Sequence, residues 1–188
     1  RYAAALEAIL PALEDRHNIL ISGELSQFSN VLAQAAQARG ATPRIMALAS
    51  TLVTGRRKDG PSVQVGLIRK SVLAYSITPA TAPGGLEAWN EIFGGVLAPC
   101  DSPARILLSN MNPIVHAPNA LCNFTRIDTG EDWSNYGGIS AGVARLLIAF
   151  DAERLAIGQA LGLDLIGFEQ NFAKSHGFEA EMALDEMA

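Results

Sequence analysis

The stretch from Asn110 to Pro118, Asn-Met-Asn-Pro-Ile-Val-His-Ala-Pro, carries the densest chemistry in the chain. It fixes one of only three histidines, His116, between Pro113 and Pro118. Imidazole titrates near neutral pH, so a histidine can pass protons in both directions. Asn112 and Ala117 each precede proline, which biases their backbone toward the extended region. Asparagine also favours the N-cap of a helix, and proline its first turn. A helix opening at Pro113 is therefore expected to stop near His116, or a fresh one to open at Pro118. Both outcomes put His116 at a helix start or break, facing out of the regular packing. There it could transfer protons or bond a backbone carbonyl, and the local residues leave both open.

Other candidates read more plainly. Cys100 and Cys122 have no CxxC or metal-site spacing, so they are read as reduced buried thiols. His17 lies in a polar run and His176 near a helix end, and no metal is assigned. Asp151 stands three residues before Arg154, the spacing of a helical ion pair. Trp89 and Trp133 read as packing residues, and Arg56, Arg57 and Lys58 as a solvated turn.

These groups need a folded frame, and the composition supplies one. The 188 residues are 49% hydrophobic and 18% charged, which suits one or two globular domains. A net charge of -5 argues against a nucleic-acid partner, whose phosphates need a basic surface. No apolar run reaches the ~18 residues that span a bilayer, and no signal-peptide layout opens the chain, so no membrane is expected and the cytoplasm is the expected location. The chain opens at Arg1 inside a helical pattern and ends without a stop signal, so both ends read as internal to a longer protein.

Asn18–Ser22 reads as a strand, Ser26–Arg39 as a helix burying Val31, Leu32, Ala35 and Ala36, and Pro43–Thr51 as a second strand. Strand, helix and strand within about 34 residues predict a βαβ unit and a parallel sheet. Ser62–Pro79 alternates like one or two further strands, and Gly84–Gly95 reads as a short helix. Beyond Pro103 the pattern is helical. The strongest element is Gly138–Leu163, capped by Ser140 and closed by Gly162, with Val143, Leu146, Leu147, Phe150 and Leu161 on one face.

The segments Asn110–Gly130 and Gly138–Leu163 together resemble the opine dehydrogenase family, the octopine/nopaline dehydrogenase group. The resemblance implies α/β followed by all-α: the C-terminal half of a Rossmann-type domain over residues 1–108, then the first part of a helical domain over 109–188. It implies an oxidoreductase that condenses an amino acid with a 2-oxo acid and reduces the imine with NAD or NADP. His116 falls on the family's catalytic histidine, as general acid/base. Asn110 and Asn112 fall on its asparagines, with substrate or nicotinamide orientation and helix capping both open for Asn112. Thr51 falls on a strand-end threonine beside the 2-oxo acid, with an ordinary strand role equally open. The segments Ala47–Arg57 and Val63–Pro79 sit where that family completes its nucleotide-binding sheet.

The chain also departs from the pattern. No Gly-x-Gly-x-x-Gly turn follows a strand, so cofactor-binding residues stay unassigned. The family's separate glycine-rich turn after its fourth or fifth strand reads Ser-Gly-Glu-Leu-Ser-Gln-Phe-Ser-Asn here, Ser22–Asn30, and keeps Gly23. By spacing, the aspartate that the family pairs with its histidine would lie past residue 188, and the 188 residues alone are expected not to turn over. Two rival readings remain: a non-catalytic remnant serving as a protein-interaction module, and another two-domain NAD(P)-dependent reductase.

Overall fold

The computed structural model describes residues 2–77 and 85–176. The expected strand residues from 78 onward and the opening Gly84 of the expected helix lie outside them. Two compact units divide the chain, Arg1–Asn110 and Met111–Ala188.

The first unit opens with helix α1 (Tyr2–Ile9), which tightens into a single 3-10 turn at Pro11. Strand β1 (Asn18–Ile21), helix α2 (Phe28–Gln37) and strand β2 (Arg44–Leu48) follow. β1 and β2 pair in parallel with Asn18 opposite Arg44, so the expected βαβ unit is present. On α2, Leu32 and Ala36 are buried as expected, while Val31 is 46% exposed. The helix therefore presents a narrower apolar stripe than its sequence suggests.

The expected parallel sheet ends there. Strand β5 (Val72–Ser76) lies antiparallel to β2, and β6 (Leu97–Pro99) runs parallel to β5, giving the order β1-β2-β5-β6. Strands β3 (Val53–Arg57) and β4 (Val63–Ile68) do not join this sheet; they form a separate antiparallel hairpin. Nearly every hairpin residue is exposed. The expectation that Ala47–Arg57 and Val63–Pro79 complete the nucleotide-binding sheet is thus corrected for β3 and β4, while β2 and β5 do stand in the sheet. The excursion from β2 into the hairpin returns the chain reversed, and an antiparallel neighbour then needs no crossover.

Side chains alternate across β2 and β5 and give the sheet two apolar faces. Met46, Leu48, Val72, Ala74 and Leu97 pack against Trp89 and Phe93 of helix α3 (Leu86–Phe93). The Trp89 and Phe93 rings stack at 5.8 Å. Ala47 and Ala49 pack on the opposite face against Ile106 of helix α4 (Pro103–Leu108), whose cap Ser102 accepts from the Arg105 amide. Asn90 ties α3 to β6 by two bonds: its Nδ2 donates to the Leu97 carbonyl at 3.0 Å, and its Oδ1 accepts from the Leu97 amide at 2.8 Å. Asn90→Ala leaves both Leu97 main-chain groups without these partners, and a loss of about 1–3 kcal/mol is expected from urea unfolding. A midpoint equal to the parent's would show that water replaces the amide without cost.

The second unit is helical over its described residues. Helices α5 (Asn112–Cys122), α6 (Phe124–Asp128), α7 (Ala141–Ala160) and α8 (Phe168–His176) follow one another. Ser140 caps α7 by accepting from the Val143 amide, and Gly162 closes it with φ +70°. The buried stripe of α7 is Val143, Ala144, Leu147, Asp151, Arg154 and Gly158. The expected face is corrected at its far end, because Phe150 and Leu161 are 37% and 56% exposed. The shift follows from Asp151 and Arg154, which satisfy each other and so occupy the inner face. Ile114, Val115, Ala144 and Phe168 form the core, flanked by Met111 and Ile139. None of the described helices is long and apolar enough to cross a membrane.

Candidate active site

His116 sits inside α5, and neither proline breaks that helix. Pro113 occupies the first turn, where its missing amide costs nothing. Pro118 lies within the helix and removes one bond, but it and Asn119 are almost completely buried and hold the turn in place. The Val115 amide still reaches the Met111 carbonyl and the Asn123 amide reaches the Asn119 carbonyl. The expected start or break at His116 is corrected to a continuous helix, while the ring is exposed as anticipated.

The surroundings of the ring are polar. Its Nδ1 lies 3.2 Å from Asn135 Nδ2, and Tyr136 tilts against it at 6.3 Å between ring centres. Asn135 in turn meets Asn119, whose Nδ2 donates to the Asn135 carbonyl at 2.6 Å and to its Oδ1 at 3.0 Å. Asn119 Oδ1 and its carbonyl both accept from Asn123 Nδ2 at 2.9 Å. Asn123 Nδ2 also reaches the Gly138 carbonyl at 3.2 Å. Asn119 is completely buried, so this row of amides is a built feature of the unit and not a solvated fringe. The Trp133 ring lies on Gly138, where a Cβ would collide with it, and so performs the packing role expected of it.

Of the other expected residues, Thr51 and Asn110 belong to the first unit and Asn112 to the second. Asn110 is 4% exposed and donates from Nδ2 to the Glu24 carbonyl at 3.2 Å, which makes it a brace of the turn after β1. Asn112 is the first residue of α5, and the cap position belongs to Met111. Thr51 follows the carboxyl end of β2 and is half-buried. Its Cγ2 lies 3.8 Å from where a Cβ on Gly23 would stand, and Gly23 has φ +71°. Gly23 and Thr51 therefore meet at the carboxyl ends of the two parallel strands, where open α/β sheets bind ligands. Between them Glu24 is 2% exposed: Oε2 accepts from the Ser29 amide, and no donor among the described residues reaches Oε1.

Residues 99–186 match the model of the NAD/NADP octopine/nopaline dehydrogenase alpha-helical domain. An opine dehydrogenase from Arthrobacter sp. (strain 1C) is 30% identical over 133 residues, which cover 68% of this chain and 36% of that protein. Residues 99–186 belong to the octopine/nopaline dehydrogenase helical-domain family. The fold agrees with that of solved family members. An octopine dehydrogenase in complex with NADH and agmatine superposes with TM-score 0.69 at 17% identity, over 98% of this chain and 50% of that one. An NADP+-bound yersinopine dehydrogenase gives TM-score 0.72 at 18% identity, over 99% of this chain and 49% of that one. The chain thus spans about half the length of these opine dehydrogenases. Like them it carries a Rossmann-type sheet region followed by helices.

Sequence reasoning missed Asn119, Asn123, Asn135 and Tyr136 around the histidine, and Glu24 in the first turn. The i,i+4 spacing of Asn119 and Asn123 was the one visible signal, since it places both amides on one helical face.

Proposed function

We propose that this chain contributes to an NAD(P)-dependent opine dehydrogenase, in which an amino acid condenses with a 2-oxo acid and the product is reduced. The observation that supports it best is the imidazole of His116: exposed, carried on α5, and 3.2 Å from Asn135 at its Nδ1. In this reading His116 handles protons while the amine adds to the oxo carbon and water leaves. Thr51 offers a hydroxyl for a carboxylate at the strand ends. Asn110 supports that region indirectly, by bracing the turn that carries Gly23 and Glu24.

NAD or NADP is the electron source in this reading. No Gly-x-Gly-x-x-Gly turn lies in this sequence, and the turn after β1 buries the Glu24 carboxyl. No cofactor-binding residue is therefore assigned, and no step is derived through the nucleotide.

Cofactor oxidation by the full-length protein tests the proposal. Oxidation is expected only when a 2-oxo acid and an amino acid are both present. Oxidation with the 2-oxo acid alone would make the protein a 2-hydroxy-acid reductase. Silence with every pair would favour a non-catalytic interaction module.

A further inference from the structure

The hairpin that leaves the sheet after β2 is charged opposite to the rest of the chain. Val53–Lys70 holds five of the 14 lysines and arginines and one of the 19 acids, a net of +4 within a chain of -5. The one acid, Asp59, lies between β3 and β4 at the far tip. Ion pairs among the described residues join Arg16 to Glu14, Arg126 to Glu131 and Arg154 to Asp151, and none involves this segment.

Arg69 stands where that shortage of acid weighs most. Its amide donates to the Leu52 carbonyl at 3.0 Å, and the register that sets Val53 opposite Ile68 continues to Leu52 opposite Arg69. Opposite residues of an antiparallel pair project to the same side. The Arg69 stem therefore leaves on the side of Leu52, which packs against the core of Met46, Leu48, Val72, Ala74 and Leu97. Arg69 is accordingly half-buried, and its Nε is buried with no acceptor among the described residues. A guanidinium stays charged and can only donate. Half-buried without an oxygen opposite, it is incomplete until an anion meets it. The neighbouring cations do not share the role. Arg57 stands opposite Val63, six residues before Arg69, which is about 20 Å along a strand. Exposed charges act over only ~8 Å at physiological salt. Thr51 is much nearer, since it precedes Leu52 and meets Gly23 at the carboxyl ends of the parallel strands.

We propose that Arg69 is a specificity residue that receives a second carboxylate on the substrate, so that one of the two reactants is a diacid. This rests on the proposed function, in which the Thr51 hydroxyl takes a first carboxylate. The edge of a guanidinium matches the two oxygens of a carboxylate, which a single hydroxyl does not. The extra carboxylate comes from a 2-oxo diacid or from an acidic amino acid.

Initial rates of the full-length protein separate these sources. 2-Oxoglutarate is compared with 2-oxopentanoate, which has the same carbon chain without the second carboxylate, and glutamate is compared with glutamine. Within one of these pairs, the parent is expected to show a KM about 10–100-fold lower for the diacid, the worth of a charge-assisted hydrogen bond. Arg69→Gln should erase that preference and leave the KM of the uncharged counterpart unchanged. Arg69→Lys should retain part of it, because the charge stays and the fork is lost. Equal KM values within both pairs in the parent would overturn the proposal. So would an Arg69→Gln variant that keeps the preference, with or without a lower thermal midpoint, because the guanidinium then answers a carboxylate of the protein itself. A change confined to NADP against NAD would assign Arg69 to a cofactor phosphate and overturn it equally. If Arg69→Gln does not fold, Arg69→Lys decides, and a preference equal to the parent's would count against the proposal. Calorimetric titration with the same four compounds needs no turnover. Selective binding of a diacid by a protein that oxidises cofactor with no pair would sink the proposed function and leave Arg69 as the carboxylate receptor. Paired-substrate turnover indifferent to the second carboxylate would do the reverse.

Discussion

Asp151→Ala is expected to lower the unfolding free energy of the helical unit by about 3–5 kcal/mol. The carboxylate is one half of a buried ion pair, with Arg154 Nε donating to its Oδ1 at 2.7 Å. The side chains of Arg154 and Asp151 are only 5% and 9% exposed. Asp151 Oδ2 also accepts from the Phe168 amide, and Arg154 Nη2 donates to the Ile166 carbonyl, both at 2.7 Å. The pair thereby pins α7 to the chain entering α8. Alanine removes the carboxylate from beside the buried guanidinium, and the Phe168 amide loses its carboxylate acceptor. The double variant Asp151→Leu, Arg154→Met removes both charges and is expected to recover most of the loss, since an apolar pair of similar volume avoids the desolvation cost. Urea unfolding of the three proteins measures this directly. A single variant within about 1 kcal/mol of the parent, the worth of an exposed pair, would mean that water reaches the site.

The same pair shows what a sequence conveys and what it withholds. The i,i+3 spacing of Asp151 and Arg154 is enough to expect their contact. That they are buried was not visible, because the surrounding Leu146, Phe150 and Leu161 are apolar and drew the expected face toward themselves. Local rules succeeded where local physics decides: Ser140 and Gly162 bound α7, and β1, α2 and β2 stand within a few residues of their expected places. They failed where distant packing decides. Pro118 has the local signature of a break, yet burial with Asn119 carries the helix past it. Val53–Arg57 and Val63–Ile68 have the alternation of sheet strands, but nothing in that alternation tells a sheet from a free hairpin. The site follows the same division. His116 was legible from its type and its flanking prolines. Asn135 was not, because it lies in a polar loop 19 residues away and only the fold brings it to the ring.

His116→Ala in the full-length enzyme is expected to reduce kcat by about 10²–10⁴-fold, the range that a positioned proton-transfer group supplies. Three features make the change a clean one. The ring is exposed, so its removal opens no cavity in the core formed by Ile114, Val115, Ala144 and Phe168. Alanine is a better helix former than histidine, so α5 should persist. The amide row is anchored by main-chain carbonyls at Asn119, Asn135 and Gly138 and should survive the loss of the ring at its end. Cofactor affinity and the thermal midpoint should therefore stay at parental values while turnover collapses. His116→Asn divides the role further: an amide can still donate to a substrate oxygen but cannot take up a proton. If polarising the oxo carbon is the main contribution, His116→Asn should retain about tenfold more activity than His116→Ala. Equal losses would place the weight on proton uptake instead. Full turnover in both would remove the imidazole from the reaction and, with it, the reason for reading this helical surface as a catalytic one.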